Sequence, residues 1–269
     1  ENKESPFILY VNFLEPHMPF SSCRDSQYGP EEIPLPDNFT NTPTDDQPLK
    51  AKAFHELYKN NGYTGHDLTQ EKGWREIVSN YWGLCSLVDT HLKTIIDSLV
   101  EHSLYEKTII VFTSDHGDMM GSHGLLAKCV MFEEAARVPL LIHLPGQEKE
   151  VRIGSPVSQI DIVPTLLDLL HQDIPKELPG TSLTPFLYNC DERVLKRDVF
   201  LEWNGPNTGF GDRIGQVTLP QNASSLTGVS QDSIEKSVTD SVRSIITQDG
   251  WKFNKSTIGE DELYNLKED

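Results

Sequence analysis

The chain has 269 residues, 37% of them hydrophobic, and its 23 basic against 41 acidic side chains give a formal charge of −18. That composition supports a sizeable buried core and argues against nucleic acid as a partner, because phosphates call for clustered Lys and Arg. No apolar run approaches the roughly 18–20 residues that span a bilayer, and Glu1-Asn2-Lys3-Glu4 does not resemble a signal peptide.

In chain order, Pro6 is followed by Phe7-Ile8-Leu9-Tyr10-Val11-Asn12-Phe13, a continuous β-rich run of the kind found in buried parallel strands. A protein seldom opens on a central strand, so the sequence is expected to start partway through a larger one. Residues 21–48 are rich in Ser, Pro, Asp and Asn and read as a long surface loop. From Trp74 to about Val100 the apolar positions Ile77, Tyr81, Leu84, Val88, Leu92, Ile95, Ile96 and Leu99 recur in three- and four-residue steps, which predicts a helix. A short β-branched strand follows over 107–114, and a second buried strand over Val138–Leu144, closed by Pro145-Gly146. Asp161 is then expected to cap a helix from Ile162 to about Leu170, with Pro164 tolerated in its first turn. Strand, helix and strand in alternation predict an α/β architecture with a mixed, mostly parallel sheet flanked by helices.

After Leu187 the character changes. Residues 204–240 show little periodicity, and Ser241–Thr247, a turn near Asp249-Gly250 and Trp251-Lys252-Phe253 predict a hairpin. Residues 1–187 are therefore assigned to an α/β domain, and 188–269 to a small antiparallel α+β subdomain. Cys23, Cys85, Cys129 and Cys190 form no CxxC pair, and their spacing is open to two disulfides or four free thiols. Glycosylation sequons occur at Asn38, Asn222 and Asn254.

The segment with chemical content runs from Thr113 to Pro145. Asp115 and His116 sit where a strand ends, the place where α/β proteins build their sites. Gly117, Gly121 and Gly124 permit a tight backbone there, and Lys128 can present a cation to an anionic group. His17, bracketed by Pro16 and Pro19, occupies the corresponding position after the first strand.

Ser114-Asp115-His116-Gly117-Asp118, then Gly121-Ser122-His123-Gly124-Leu125, Lys128, Glu133 and Arg137-Val138-Pro139-Leu140 resemble the sulfatase family of the alkaline-phosphatase-like superfamily. Pro16-His17-Met18-Pro19-Phe20, Gln159 to Thr165, Gly180-Thr181-Ser182-Leu183 and the closing Glu262-Leu263-Tyr264-Asn265-Leu266 agree with it. The resemblance implies a hydrolase of sulfate esters. In it, Asp115 and His116 are ligands of a divalent cation, commonly calcium, and Lys128 contacts the sulfate. His17 meets the ester near its leaving oxygen as a general acid, and His123 lines the same pocket. The implied substrate is a sulfated small molecule or carbohydrate, and family analogy places the protein in the periplasm, the lysosome or outside the cell.

One departure matters. The family's nucleophile is a Cys or Ser in a C/S-x-P-x-R motif, oxidised to formylglycine, and none of the four cysteines here fits it. The paired aspartates near the family's N-terminus are absent as well. Residues 1–269 are thus expected to be the C-terminal part of a longer enzyme, inactive alone. The Asp-His pairing also occurs in relatives that hydrolyse phosphodiesters and phosphonate monoesters, often with manganese, so manganese or zinc is the alternative to calcium. A non-catalytic pseudoenzyme fragment is the third reading.

Overall fold

The computed structural model describes residues 5–25, 27–40, 42–188, 197–205 and 229–268. They form two compact units, one of residues 1–46 with 54–146, the other of 47–53 with 147–269. Among the described residues no helix is long and apolar enough to cross a membrane.

The first unit is organised by a long helix, α2 (Glu71–Glu101), preceded by α1 (Leu49–Asn61), whose first residues belong to the second unit. The predicted periodic stripe on α2 is real, but it divides in two. Trp74, Ile77, Val78 and Leu84 are buried, whereas Val88, Leu92, Ile95 and Ile96 are only half-buried. The buried half packs with Phe20, Ile33, Leu68, Met120 and Leu126. Ile33 comes from the stretch expected to be a surface loop: residues 21–48 lack regular structure for most of their length, yet they bury Ile33 in the core, pack Tyr28, Leu35 and Phe39 against it, and accept from Arg75 at the Ile33 carbonyl.

Strands β1 (Ile110–Thr113) and β2 (Leu140–His143) lie where the apolar runs predicted them. They pair antiparallel, with Ile110 opposite His143 and Thr113 opposite Leu140, and every strand pairing among the described residues is antiparallel. The mostly parallel sheet expected from the sequence is not seen there, because a run of apolar residues reports burial on both faces and carries no information on direction. Residues 7–13 also depart from expectation. They are extended but outside any strand, with Ile8 94% and Tyr10 86% exposed, since no strand among the described residues pairs with them, although Phe13 stacks on His91 of α2.

The first unit also holds a single helical turn, α3 (Glu133–Ala136); in the second unit, α4 (Ile162–Leu169) follows a short 3-10 turn, and α5 (Thr184–Leu187) packs on α4. Asp161 does not cap its own helix, as the sequence suggested. Its carboxylate is fully buried and accepts the N–H groups of Ser158 (2.8 Å) and Thr181 (2.9 Å) and both terminal nitrogens of Arg197. The predicted hairpin is present as β4 (Val242–Ile246) and β5 (Trp251–Ser256), set in a four-stranded antiparallel sheet between β3 (Val199–Trp203) and β6 (Glu262–Asn265). A further helix, α6 (Gln231–Val238), buries Ile234 and Val238.

The alternation of β5 is inverted. Lys252, Asn254 and Ser256 are buried while Trp251 and Phe253 face outward. Asn254 donates to Glu262 at 3.0 Å and Ser256 to Asp240 at 2.7 Å, so hydrogen bonds offset much of the cost of burying polar groups. Cys23, Cys85 and Cys129 are free thiols; Cys190, Asn222 and most of 204–240 lie outside the described residues.

Candidate active site

The loop after β1 carries Asp115 and His116 and then turns sharply. Gly117 is required at that turn: its N–H donates to the Ala135 carbonyl at 2.9 Å, and an added Cβ would lie 1.9 Å from the Glu134 carbonyl oxygen. From Asp118 the chain doubles back on itself through Met119 N–H to Ala127 and Gly121 N–H to Leu125, both 2.9 Å. This return places three non-glycine residues at positive φ, Met120 (39°), His123 (55°) and Ala127 (64°). Each such residue costs of order 1 kcal/mol and persists only where its surroundings fix it. Lys128 follows directly.

The opposite wall comes from His17, which lies between two cis X-Pro peptide bonds. Phe20, three residues on, is buried between Tyr63 (5.4 Å) and Tyr81 (5.9 Å) and ties this turn to the core.

Four of the five predicted site residues come together. Lys128 Nζ is hydrogen-bonded to His17 Nε2, and the His17 ring meets His116 edge-on with centroids 5.9 Å apart. His17 Nδ1 donates to the Met18 carbonyl at 2.9 Å, which puts its proton on Nδ1 and leaves Nε2 to accept from Lys128. His116 follows the same rule: Nδ1 donates to the Gly117 carbonyl at 2.9 Å, so its Nε2 lone pair is available, 3.5 Å from Asp115 Oδ2. A ring nitrogen oriented by a backbone carbonyl behind it is the usual arrangement of a metal-binding histidine. Asp115 Oδ1 is tied back to the His116 N–H at 2.9 Å, leaving Oδ2 as the outward oxygen. One imidazole nitrogen and one carboxylate oxygen suit a divalent cation. Among the described residues no group of three or more His, Cys, Asp or Glu could complete its coordination.

His123 is held differently. Its ring stacks on Phe132 at 4.3 Å, its N–H donates to the Asn38 carbonyl at 3.1 Å, and Asn38 Nδ2 donates to its Nε2 at 3.3 Å. The same amide donates to Glu134 Oε1 at 2.8 Å. Burial pushes the Glu134 carboxyl up, but hydrogen bonds from Asn38, its own backbone N–H and Ser122, with the nearby His123, outweigh that and hold it below the usual glutamate range. Gly124 packs tightly behind His123: at φ +67°, an added Cβ would sit 2.4 Å from both His55 Nδ1 and the Thr40 carbonyl oxygen.

Asn38, Glu134 and Asp118 received no role from the sequence. Asn38 and Glu134 are 96 residues apart, and no local signal links them. Asp118 had one, an Asp at the head of a glycine-rich return, where a side-chain oxygen commonly gathers backbone N–H groups. Its Oδ1 accepts from Met120 (3.2 Å) and Ala127 (3.0 Å). Burial pushes its carboxyl up, against the pull of those two donors, Lys128 and His116.

The sulfatase family profile matches residues 1–172, well over half of the chain. This chain belongs to the sulfatase family. It is 30% identical over 237 residues to the multifunctional alkaline phosphatase superfamily protein PehA of Trinickia caryophylli, covering 82% of this chain and 45% of that protein. With arylsulfatase K of Gallus gallus it shares 32% over 213 residues, 75% of this chain and 39% of the relative. The phosphonate monoester hydrolase of Agrobacterium radiobacter has the same fold, with a TM-score of 0.68 over 99% of this chain and 52% of that one, at 24% identity. The sulfatase chain described here thus spans less than half the length of these curated relatives.

Proposed function

We propose that residues 1–269 are part of a metal-dependent sulfatase that hydrolyses sulfate esters of small molecules or carbohydrates, residues 1–187 belonging to its catalytic α/β domain and 188–269 to its C-terminal subdomain. The observation that carries this reading is the pairing of Lys128 with His17 beside the His116–Asp115 pair. A cation and an orientable imidazole next to two metal-type donors suit an anion whose charge shifts as its ester bond breaks. Lys128 holds the sulfate oxygens by charge. His17 presents Nε2 to the leaving oxygen; as the imidazolium it keeps its Nδ1 proton on the Met18 carbonyl, gives its Nε2 proton to that oxygen and is left as the neutral ring. Asp115 Oδ2 and His116 Nε2 would hold a divalent cation, calcium first and manganese or zinc next, whose chemistry there would be neutralisation of sulfate charge and polarisation of the ester. The nucleophile, formylglycine by family resemblance, lies outside this chain, and residues 1–269 alone are inactive. His123 bounds the pocket, and its ties to Asn38 and Phe132 support a role in shaping it.

Hydrolysis of a phosphonate monoester or phosphodiester on the same scaffold is the second reading, favoured by one observation: the mixed nitrogen and oxygen donors at 116 and 115 suit manganese or zinc as well as calcium. In the enzyme that contains residues 1–269, 4-nitrophenyl sulfate should be turned over faster than 4-nitrophenyl phenylphosphonate. Lys128→Ala should reduce sulfate turnover by about 10²–10³-fold while the fold survives. The reverse preference selects the second reading. An unchanged Lys128→Ala rate rejects both.

A further inference from the structure

The loop that presents Lys128 contains a charged side chain to which the proposed mechanism gives no task. One oxygen of Asp118 accepts two backbone N–H groups, those of Met120 at 3.2 Å and Ala127 at 3.0 Å. Both donors belong to residues in the left-handed region, at φ 39° and 64°, where a side chain is strained. Ala127 immediately precedes Lys128, so its φ and ψ set the direction in which the lysine leaves the chain. Without an acceptor at Asp118, the buried Ala127 and Met120 turns lose the hydrogen bonds that offset their strain, and other backbone conformations become cheaper. The neighbouring contacts do not replace it. Met119 N–H to Ala127 and Gly121 N–H to Leu125 close the ladder of the return, but neither uses the Met120 or Ala127 N–H.

Burial pushes the phenols of Tyr58, Tyr63 and Tyr81 up, and the Asp118 charge adds to that push. Tyr63 and Tyr81 are the rings that grip Phe20, three residues from His17.

We propose that Asp118 is a positioning residue for this site: by accepting the Met120 and Ala127 N–H groups on one oxygen, it closes the 118–127 return and sets Lys128 against His17. The inference rests on the reading of Lys128 as the sulfate-binding cation. It predicts that the acceptor matters and the charge does not.

The test uses the enzyme that contains residues 1–269, with 4-nitrophenyl sulfate, and four variants: Asp118→Ala, Asp118→Asn, Lys128→Ala and the Asp118→Ala/Lys128→Ala double. Asp118→Ala should lower kcat/KM by about 10²-fold, the scale of a misplaced catalytic group. Asp118→Asn keeps an oxygen that accepts both N–H groups and should stay within about fivefold of the parent. In the Lys128→Ala background Asp118→Ala should cost less than about twofold, because a residue acting through Lys128 has nothing left to position. Hydrogen exchange at the Met120 and Ala127 amides should accelerate in the Ala variant alone, with no dependence on turnover. An Asn variant as slow as Lys128→Ala, or full multiplicativity in the double variant, overturns the proposal. If the Ala variant does not fold, the Asn variant still decides between acceptor and charge. An impaired Lys128→Ala with a normal Asp118→Ala rejects the positioning role only. A normal Lys128→Ala rejects the sulfatase reading, and the positioning role falls with it.

Discussion

Two aspartates organise loops in the two units of this molecule, and they are built differently. Asp161, in the second unit, is fully buried and saturated by two backbone N–H groups and the fork of Arg197, with its charge neutralised on the spot. Asp118, in the first, is half-buried, gathers two N–H groups on one oxygen and has only the more distant Lys128 and His116 as counter-charges. The first arrangement suits permanence, since a buried ion pair that is geometrically complete gains little from moving. The second leaves the carboxylate's compensating charge on Lys128, a side chain that is also bonded to His17.

The sharpest way to break this contrast is Asp161→Ala. Removing it strands a guanidinium and two N–H groups, and the second unit should lose about 3–5 kcal/mol, seen as a fall of roughly 10 °C in Tm. A Tm within two degrees of the parent would mean that Asp161 is not the anchor described. Next in size is Gly117→Ala, whose Cβ overlaps the Glu134 carbonyl oxygen. It should cost about 1–3 kcal/mol and weaken metal retention at Asp115 and His116, measured by elemental analysis. Full metal content with an unchanged Tm would show that the turn tolerates a side chain.

Glu134 gives a smaller, pH-dependent signal. Its folded pKa lies below its ordinary value of 4.5, so its contribution is present above that pH and disappears as pH falls through the folded value. The parent should therefore lose stability to Glu134→Gln between about pH 5 and pH 3, by less than about 1 kcal/mol because the group is only partly shielded. Parallel pH profiles would remove the Asn38–Glu134 contact from the account. Smallest of all is Asp97→Asn, which breaks a 2.5 Å ion pair with Lys93 on the open face of α2. With both partners more than half exposed, the change in Tm should be below about one degree.

How far the sequence leads depends on whether a feature is local. Helix α2 was legible because its periodicity is a property of the segment itself, and the β4–β5 hairpin because Asp249-Gly250 dictates its turn. Strand direction was not, and neither was the exposure of residues 7–13, because both depend on neighbours that a single apolar run does not name. The segment ends carrying Asp115, His116 and His17 were legible, and the structure brings these three side chains together. The contact between Lys128 and His17 joins residues 111 apart, and neither segment names the other. Asp161 looked like a helix cap because Asp before a helix commonly is one; only folding brings Arg197 to it. Which face of β5 turns inward was not legible, since nothing in Trp-Lys-Phe reveals that the polar side chains Lys252 and Asn254 are the buried ones.

That inversion has a consequence for protein maturation. Asn254 belongs to the Asn-Lys-Ser sequon, yet it is 1% exposed and its amide is spent on Glu262. A sugar on that nitrogen and a closed sheet are mutually exclusive. In a glycosylating compartment the transferase and strand closure would race for the same amide, so any glycan found at Asn254 marks a molecule in which β5 closed too late.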